Sequence, residues 1–362
     1  MDRRSTIAWT ISLCAFLRLS QAKTLSQLCW SAMRMTRTGI GELGRLLSQD
    51  TGIAAKHAIK RVDRFIGNQH IEPIEAMRGV IGFLARPRAR LLVSMDWVEI
   101  RTFPCIMLAA RIKGRAIPLL WSAYHYQNLF RSQNNIEYGL LRALRTMVPP
   151  STQVLLLADR GFGRTEMARV CQQLGFDYII RIKPDVYVRC NRFVGKLLDL
   201  PVKRGHRRLF MDVAYRKHQP VCLNVAVVWR PDQKVPWFLI TSLRKVRALE
   251  LTKIFAHRMS IEEYFRDSKS LRNGFALRLT LIKSPQRLNR MLLVLAIGYL
   301  LLVITGLCAS RNYHSGQWCS NNRPGECSLV MVGRITLGRL KFPHIRRMAV
   351  QFRTELLRQN WG

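Results

Sequence analysis

The sequence predicts a mixed α/β protein, with a helical lobe ahead of the sheet and a β-rich segment set into it. Three observations carry that prediction. From about residue 5 to 85, apolar residues recur at helical spacing. From Arg90 onward, short apolar strand-like runs alternate with amphipathic helical stretches. Between Lys183 and Leu243 the helical stretches vanish, and strand-like runs follow one another across polar turns.

Composition bounds the partners. At 362 residues and 48% apolar content the chain can bury a large core and is not globally disordered. It carries 59 Lys and Arg against 22 Asp and Glu, a net charge of +37 spread along its whole length. Such a field favours a polyanionic partner, nucleic acid first, with an anionic membrane surface as the competing reading. The nine cysteines form no CxxC pair and read as reduced thiols of a cytosolic protein. His314, Cys319 and Cys327 match no standard zinc spacing. Two stretches imitate membrane signals. The run from Ile7 to Leu17 resembles a weak signal peptide but is broken by Thr10 and Ser12, so a first helix is expected. Met291 to Ala309 carries no charge and is long enough to span a bilayer, or equally to form the buried centre of a large domain.

Taken in order, Thr24 can cap a helix through Leu25, Leu28, Trp30 and Met33, and Gly39 and Gly41 mark a turn before the stripe Ile40, Leu43, Leu46 and Leu47. Residues 54 to 65 then place Lys56, Lys60, Arg61 and Arg64 on one side and Ile59, Val62 and Phe65 near the other. A short helix, a turn and a basic amphipathic helix suit a helix-turn-helix-like reader of DNA, and suit equally a helical bundle with a solvated basic face. Pro87 makes residues 86–88 a linker. Residues 91–100, 105–112 and 115–121 read as a three-stranded antiparallel meander, residues 134–148 as a helix, and Gln153 to Ala158 as a strand covered on both faces. A helix from Arg164 to Leu174 and a strand from Tyr178 to Ile182 complete an α/β unit. A helix from near Ala248 to Gly274 and the apolar helix follow, and residues 344–360 fit a basic amphipathic helix.

Three acids stand out. Asp96 lies in the middle of a nearly wholly apolar strand, where an ionised carboxylate is costly unless paired or bound to metal. Asp159 closes a buried strand before a Gly-flanked turn, the kind of position where open α/β sheets place ligands. Glu262 falls in the stretch 255–269, where helical spacing gathers Phe255, Arg258, Glu262, Arg266 and Lys269 within a wedge of roughly 80°. On spacing alone that wedge is either a solvated face held by pairs such as Glu262–Arg266 or a site facing an anion or a metal. Two strand acids and a helical one form an oxygen-only set that suits Mg²⁺ or Mn²⁺. Glu99 is a rival but points to the opposite face of the strand from Asp96, and Glu263 and Asp267 lie off the cationic wedge.

The order of these elements resembles the ribonuclease H-like core of DDE transposases. The spacing Phe255-x2-Arg258-x3-Glu262-x6-Lys269 resembles the Tyr-Arg-Glu-Lys signature of bacterial transposases of the insertion sequence 4 family, with Phe255 where the family has Tyr. Residues 159–162 resemble that family's second-Asp motif, and residues 237–243 resemble the last strand of its β-rich insertion. The resemblance covers roughly residues 20 to 305.

The resemblance implies a helical DNA-binding domain over 1–86, a catalytic core over 87–183 and 244–310, a β-rich insertion over 184–243, and a basic region of unknown role over 311–362. It implies that Asp96, Asp159 and Glu262 bind two Mg²⁺ or Mn²⁺ ions. Arg258, Lys269 and Arg266 would hold DNA phosphates, Trp237 would stack on a displaced base, and Phe255 would lack the hydroxyl of its counterpart. The implied activity is metal-dependent cleavage at transposon ends and strand transfer by a homodimer on DNA, in the bacterial cytoplasm on the nucleoid and away from membranes. A nuclease without strand transfer, an inactive DNA-binding descendant and a basic membrane protein are the rival readings.

Overall fold

Six helices precede the first strand in the structure, a computed structural model that describes residues 1–88, 90–129, 132–191, 193–271, 274–320 and 327–357. They are α1 (Arg3–Leu13), α2 (Leu19–Ala32), α3 (Ile40–Thr51), α4 (Ala55–Gly67), α5 (Pro73–Ala76) and α6 (Arg78–Leu84). Asp2 caps α1 by accepting from the backbone N–H groups of Arg4 and Ser5. From the apolar run at 7–17, Trp9, Leu13 and Cys14 enter the core. α3 ends at Gly52, whose φ of +75° is left-handed and favours glycine there. At Gly44 a Cβ would stand 2.6 Å from the Ile59 Cα, so the absence of a side chain is what lets α3 and α4 cross so closely.

The expected meander forms as β1 (Arg90–Ile100), β2 (Phe103–Ile112) and β3 (Arg115–Ala123). α7 (Gln133–Met147) then carries the chain to β4 (Gln153–Ala158), which pairs parallel with β1, and α8 (Thr165–Gln173) carries it to β5 (Asp177–Arg181), parallel to β4. Leu155, Leu156 and Leu157 of β4 are buried alike, as a strand covered on both faces requires. The β-rich segment supplies β6 (Tyr187–Cys190), β7 (Phe193–Lys196), β8 (Arg207–Tyr215), β9 (Val221–Val228) and β10 (Trp237–Thr241). Its strands extend the same sheet, because β10 pairs antiparallel with β5. Among the described residues one ten-stranded sheet results, in the order β3-β2-β1-β4-β5-β10-β9-β8-β6-β7.

Where spacing predicts one helix from Ala248 to Gly274, there are two, α9 (Ala248–Ala256) and α10 (Met259–Lys269). At the joint the backbone tightens into i→i−3 bonds: His257 N–H to Ile254, Arg258 to Phe255, Ser260 to His257 and Ile261 to Arg258. Helical dihedrals persist through the tightening, so apolar periodicity carries no trace of it. α10 ends at Ser270 rather than at Gly274. Gly274 instead packs against the end of the helix, where a Cβ would stand 1.8 Å from the Asp267 carbonyl oxygen.

The apolar helix is α11 (Pro285–Asn312), followed by α12 (Leu329–Thr336) and α13 (Ile345–Leu357). Every residue of α11 from Arg290 to Ala309 is buried, because α2, α4, α5, β3, α12 and α13 all pack on it. That surrounding explains a helix apolar on every side without a bilayer. Its crossings are close: a Cβ on Gly306 would stand 1.8 Å from the Leu329 carbonyl oxygen, and one on Gly333 would stand 2.1 Å from that of Leu302. α13 takes up most of the amphipathic stretch predicted at 344–360 and buries Met348, Ala349 and Phe352; residues 358–360 lie outside the described residues.

Candidate active site

Strand register brings two of the acids together. Met95 of β1 stands opposite Ala158 of the parallel strand β4. Asp96 and Asp159 are each one residue further on, so they follow side by side on strands about 4.8 Å apart. Asp159 turns out of the sheet immediately, and its carboxylate accepts from the Arg160 N–H at 2.7 Å, capping a single 3-10 turn at Arg160–Phe162. Asp96 shares its strand face with Leu92, which packs with Leu251, Ile254 and Phe255 of α9. α10 crosses the same sheet over β1, β2 and β3 and carries Glu262 in its first turn.

Arg258, at the α9–α10 joint, connects these acids. Its Nη1 donates to Asp96 Oδ2 at 2.9 Å and to Glu262 Oε1 at 3.3 Å. Asp96 is therefore paired, yet burial pushes its carboxyl up to about 6; Arg258 opposes the shift, and the negative charges of Glu262 and Asp159 add to it. Both other acids thus act on Asp96, beside the end of β4, and the Arg258 guanidinium stands between Asp96 and Glu262.

Outward from Glu262 lies a cleft of about 530 Å³ lined by Met259, Glu262, Phe265, Arg266, Lys269, Ser270, Leu271 and Arg278. Arg266 is exposed and pairs with Glu263 at 3.1 Å. Lys269 is half-buried, and its ammonium is pushed below the usual lysine range by desolvation and by Arg278. Phe255 does not share this surface: its ring is 4% exposed and meets the Trp237 ring edge-on, centroids 5.9 Å apart. Trp237 also carries the Arg181 guanidinium 5.0 Å over its ring and lines a separate cleft of about 450 Å³ with Trp229, Arg207 and Lys253. Lys56, Lys60, Arg61 and Arg64 all lie on α4, far along the chain from the acids; the last three line a groove with Thr24 and Phe65, and Arg61 donates to the Thr24 hydroxyl at 3.2 Å. Two of the rival acids, Glu263 and Asp267, are occupied elsewhere, while Glu99 lies near enough to Lys269 to act on its charge. Asp267 pairs with Arg115 of β3 at 3.2 Å and accepts from the Tyr299 hydroxyl at 2.9 Å, and Glu263 pairs with the same arginine at 3.3 Å.

These observations meet a family comparison. Residues 130–301 match the family model of the transposase DDE domain. The match supports a DDE transposase, and the ten-stranded sheet is consistent with a ribonuclease H-like transposase domain. The matched span runs from just before α7 into α11 and includes Asp159, Trp237, Arg258, Glu262 and Lys269; Asp96 lies ahead of it. No curated protein matches the chain.

DDE transposases generally use divalent metal ions, so the donor set can be tested for fit. Among the described residues, no three His, Cys, Asp or Glu side chains converge tightly enough to hold an ion as they stand. The chemistry of the set nevertheless fits: all three donors are carboxylates, both other acids act on Asp96, and a guanidinium, that of Arg258, already bridges Asp96 and Glu262. Two further groups at the site escape sequence reading. Arg278 comes from the segment after α10 and has no motif. Glu137 of α7, 1% exposed, accepts from Trp97 Nε1 at 2.8 Å and pairs with Arg164. It does leave a sequence signal, a glutamate on the apolar stripe it shares with Leu140, Leu141 and Leu144.

Proposed function

We propose that the protein is a cut-and-paste DNA transposase of the insertion sequence 4 type. It cleaves phosphodiesters at the ends of its element and joins the resulting 3′-hydroxyls to target DNA. Asp96, Asp159 and Glu262 are the catalytic acids and hold two Mg²⁺ or Mn²⁺ ions, which when bound activate the attacking oxygen and stabilise the leaving one. Arg258 gives up its contacts with Asp96 and Glu262 as the site loads and turns to a phosphate, and Lys269 and Arg266 hold phosphates along the outer cleft. Trp237 is the candidate for base stacking. Phe255 contributes its ring to the packing under Trp237 and offers DNA no hydroxyl. Residues 1–86 bind the terminal inverted repeats through Lys56, Lys60, Arg61 and Arg64 of α4; residues 87–183 and 244–310 form the core, 184–243 the insertion and 311–362 a basic C-terminal region. The protein works as a homodimer on paired ends, in the cytoplasm on the nucleoid.

What supports this reading most is the adjacency of Asp96, within β1, and Asp159, just past the end of the neighbouring strand β4, with Glu262 joined to Asp96 through Arg258. The test uses purified protein, Mg²⁺ and a labelled duplex carrying an element end. Nicked and joined products are expected, and Asp96→Ala should lose both while still binding DNA. Nicking without joining makes the protein a nuclease; binding without cleavage makes it an inactive descendant. Full cleavage by Asp96→Ala refutes the assignment of the acids.

A further inference from the structure

Beside the acids lies a buried carboxylate that touches β1 directly and, through Arg164, the turn after β4. Glu137 lies on the face of the sheet opposite α10. β1 alternates its side chains, so Asp96 faces α10 while Trp97, the next residue, reaches the other face and donates its indole N–H to Glu137 Oε1 at 2.8 Å. Asp96 is itself tied to that residue, accepting from the Trp97 backbone N–H at 2.8 Å. The second oxygen, Glu137 Oε2, pairs with Arg164. Arg164 in turn donates through Nη1 to the Gly161 carbonyl at 2.8 Å, inside the turn that Asp159 caps. Its guanidinium also lies 5.9 Å over the Phe162 ring. The same turn is gripped from β8, where the Tyr215 hydroxyl and Arg216 Nη2 donate to the Gly163 carbonyl at 2.8 and 3.0 Å.

A charged group 1% exposed is costly to bury, and a simpler core would place an apolar residue on that stripe of α7. Burial pushes the Glu137 carboxyl above its usual range, while the Trp97 and Arg164 contacts oppose that shift. Besides Gln133 on its own helix, its side chain is shared between two chain segments, β1 and the turn after β4. One segment sets the height of Asp96 along β1, and the other sets the turn that aims Asp159.

We infer that Glu137 is a positioning residue: through Trp97 and Arg164 it fixes the spacing of Asp96 and Asp159, and so the affinity of the acid set for divalent metal. This rests on the transposase reading given above. Glu137 touches neither metal nor DNA; its role is to hold the supports of two ligands in register, as partners behind metal ligands do.

The test is Mn²⁺ binding to the full-length protein, followed by electron paramagnetic resonance in the presence of end duplex, together with duplex affinity in EDTA and thermal unfolding. Glu137→Gln keeps an acceptor for Trp97 and removes the charge facing Arg164. Trp97→Phe removes the indole donor and keeps the ring. Each variant is expected to weaken Mn²⁺ about 10-fold, with duplex affinity in EDTA unchanged, and the double variant should lose less than the product of the two. Variants that unfold at lower temperature but bind Mn²⁺ within about twofold of the parent would make Glu137 a stabilising residue only and overturn the inference. If the parent protein and Asp96→Ala bind Mn²⁺ equally, the assignment of the acids itself has failed, and the inference goes with it.

Discussion

Replacing Asp96 by Asn should make the metal-free protein more stable at neutral pH, by an amount set by the proton that the acid prefers to keep. The folded protein holds the Asp96 carboxyl up at about 6, against an ordinary value of 3.8. Each unit corresponds to about 1.4 kcal/mol, so the ionised group costs the fold about 3 kcal/mol relative to the unfolded chain. The folded value is the higher one. The stability that the neutral Asp96 supplies is therefore full below about pH 4, is lost as pH rises through 6, and changes no further above. Asparagine has no proton to lose and still occupies the strand position between the Trp97 N–H and Arg258. Urea unfolding in EDTA at a series of pH values from 4 to 8 should show the variant drawing ahead of the wild type by up to about 3 kcal/mol. Near neutrality that is about 4 °C in Tm for a chain of this length, from the usual unfolding entropy per residue. A difference between the two proteins that stays constant from pH 4 to pH 8 would refute the reasoning, because it would mean Asp96 is as well solvated folded as unfolded.

Other perturbations test other parts of the molecule. The double change Lys60→Ala and Arg64→Ala on α4 should lower the salt slope of duplex binding by about 2, since each phosphate contact contributes about 0.9; an unchanged slope would take α4 off the DNA. Gly306→Ala should destabilise by about 1–3 kcal/mol in chemical denaturation, because the new methyl would meet the Leu329 carbonyl oxygen at the α11–α12 crossing. Phe255→Tyr should cost about 1–3 kcal/mol of stability, since the ring edge lies buried on Trp237 and a hydroxyl there would find no water; increased end cleavage by this variant would show that the position reaches DNA after all.

Much of this architecture is legible because periodicity is a local property. The meander, the parallel strand at 153–158 and the apolar helix follow from runs of side chains that alternate or repeat within about ten residues. The three acids could be singled out because charge in an apolar strand, or alone among cations, conflicts with its surroundings. What could not be read depends on contacts between distant residues. Nothing in 183–243 says that its strands continue the main sheet, since the deciding bonds join β10 to β5 across about sixty residues of chain. Helical dihedrals persist through the α9–α10 joint, so only the hydrogen-bond pattern reveals it. One ideal helix would hold residues 255–269 in a single wedge; the joint instead leaves Glu262, Arg266 and Lys269 on the outer cleft and turns Phe255 inward. Arg258, at the joint itself, reaches across to Asp96, a partner 162 residues away that helical spacing cannot supply.

The buried helix α11 has a consequence for how such a gene can decay or be rearranged. Gly298 sits against Cys29, Ala32 and Met33 of α2, the helix binds the edge of the meander through Asn289, and α12 and α13 close its far side. Helices read before residue 85 and helices read after residue 328 therefore share one support that is translated late. A copy cut short ahead of Pro285 would leave the α2 surface at Cys29–Met33 and the outer edge of β3 uncovered. Such a remnant would expose apolar core surface and be a substrate for proteolysis. Truncation ahead of α11 would therefore cost both ends of the chain their packing at once rather than remove one element.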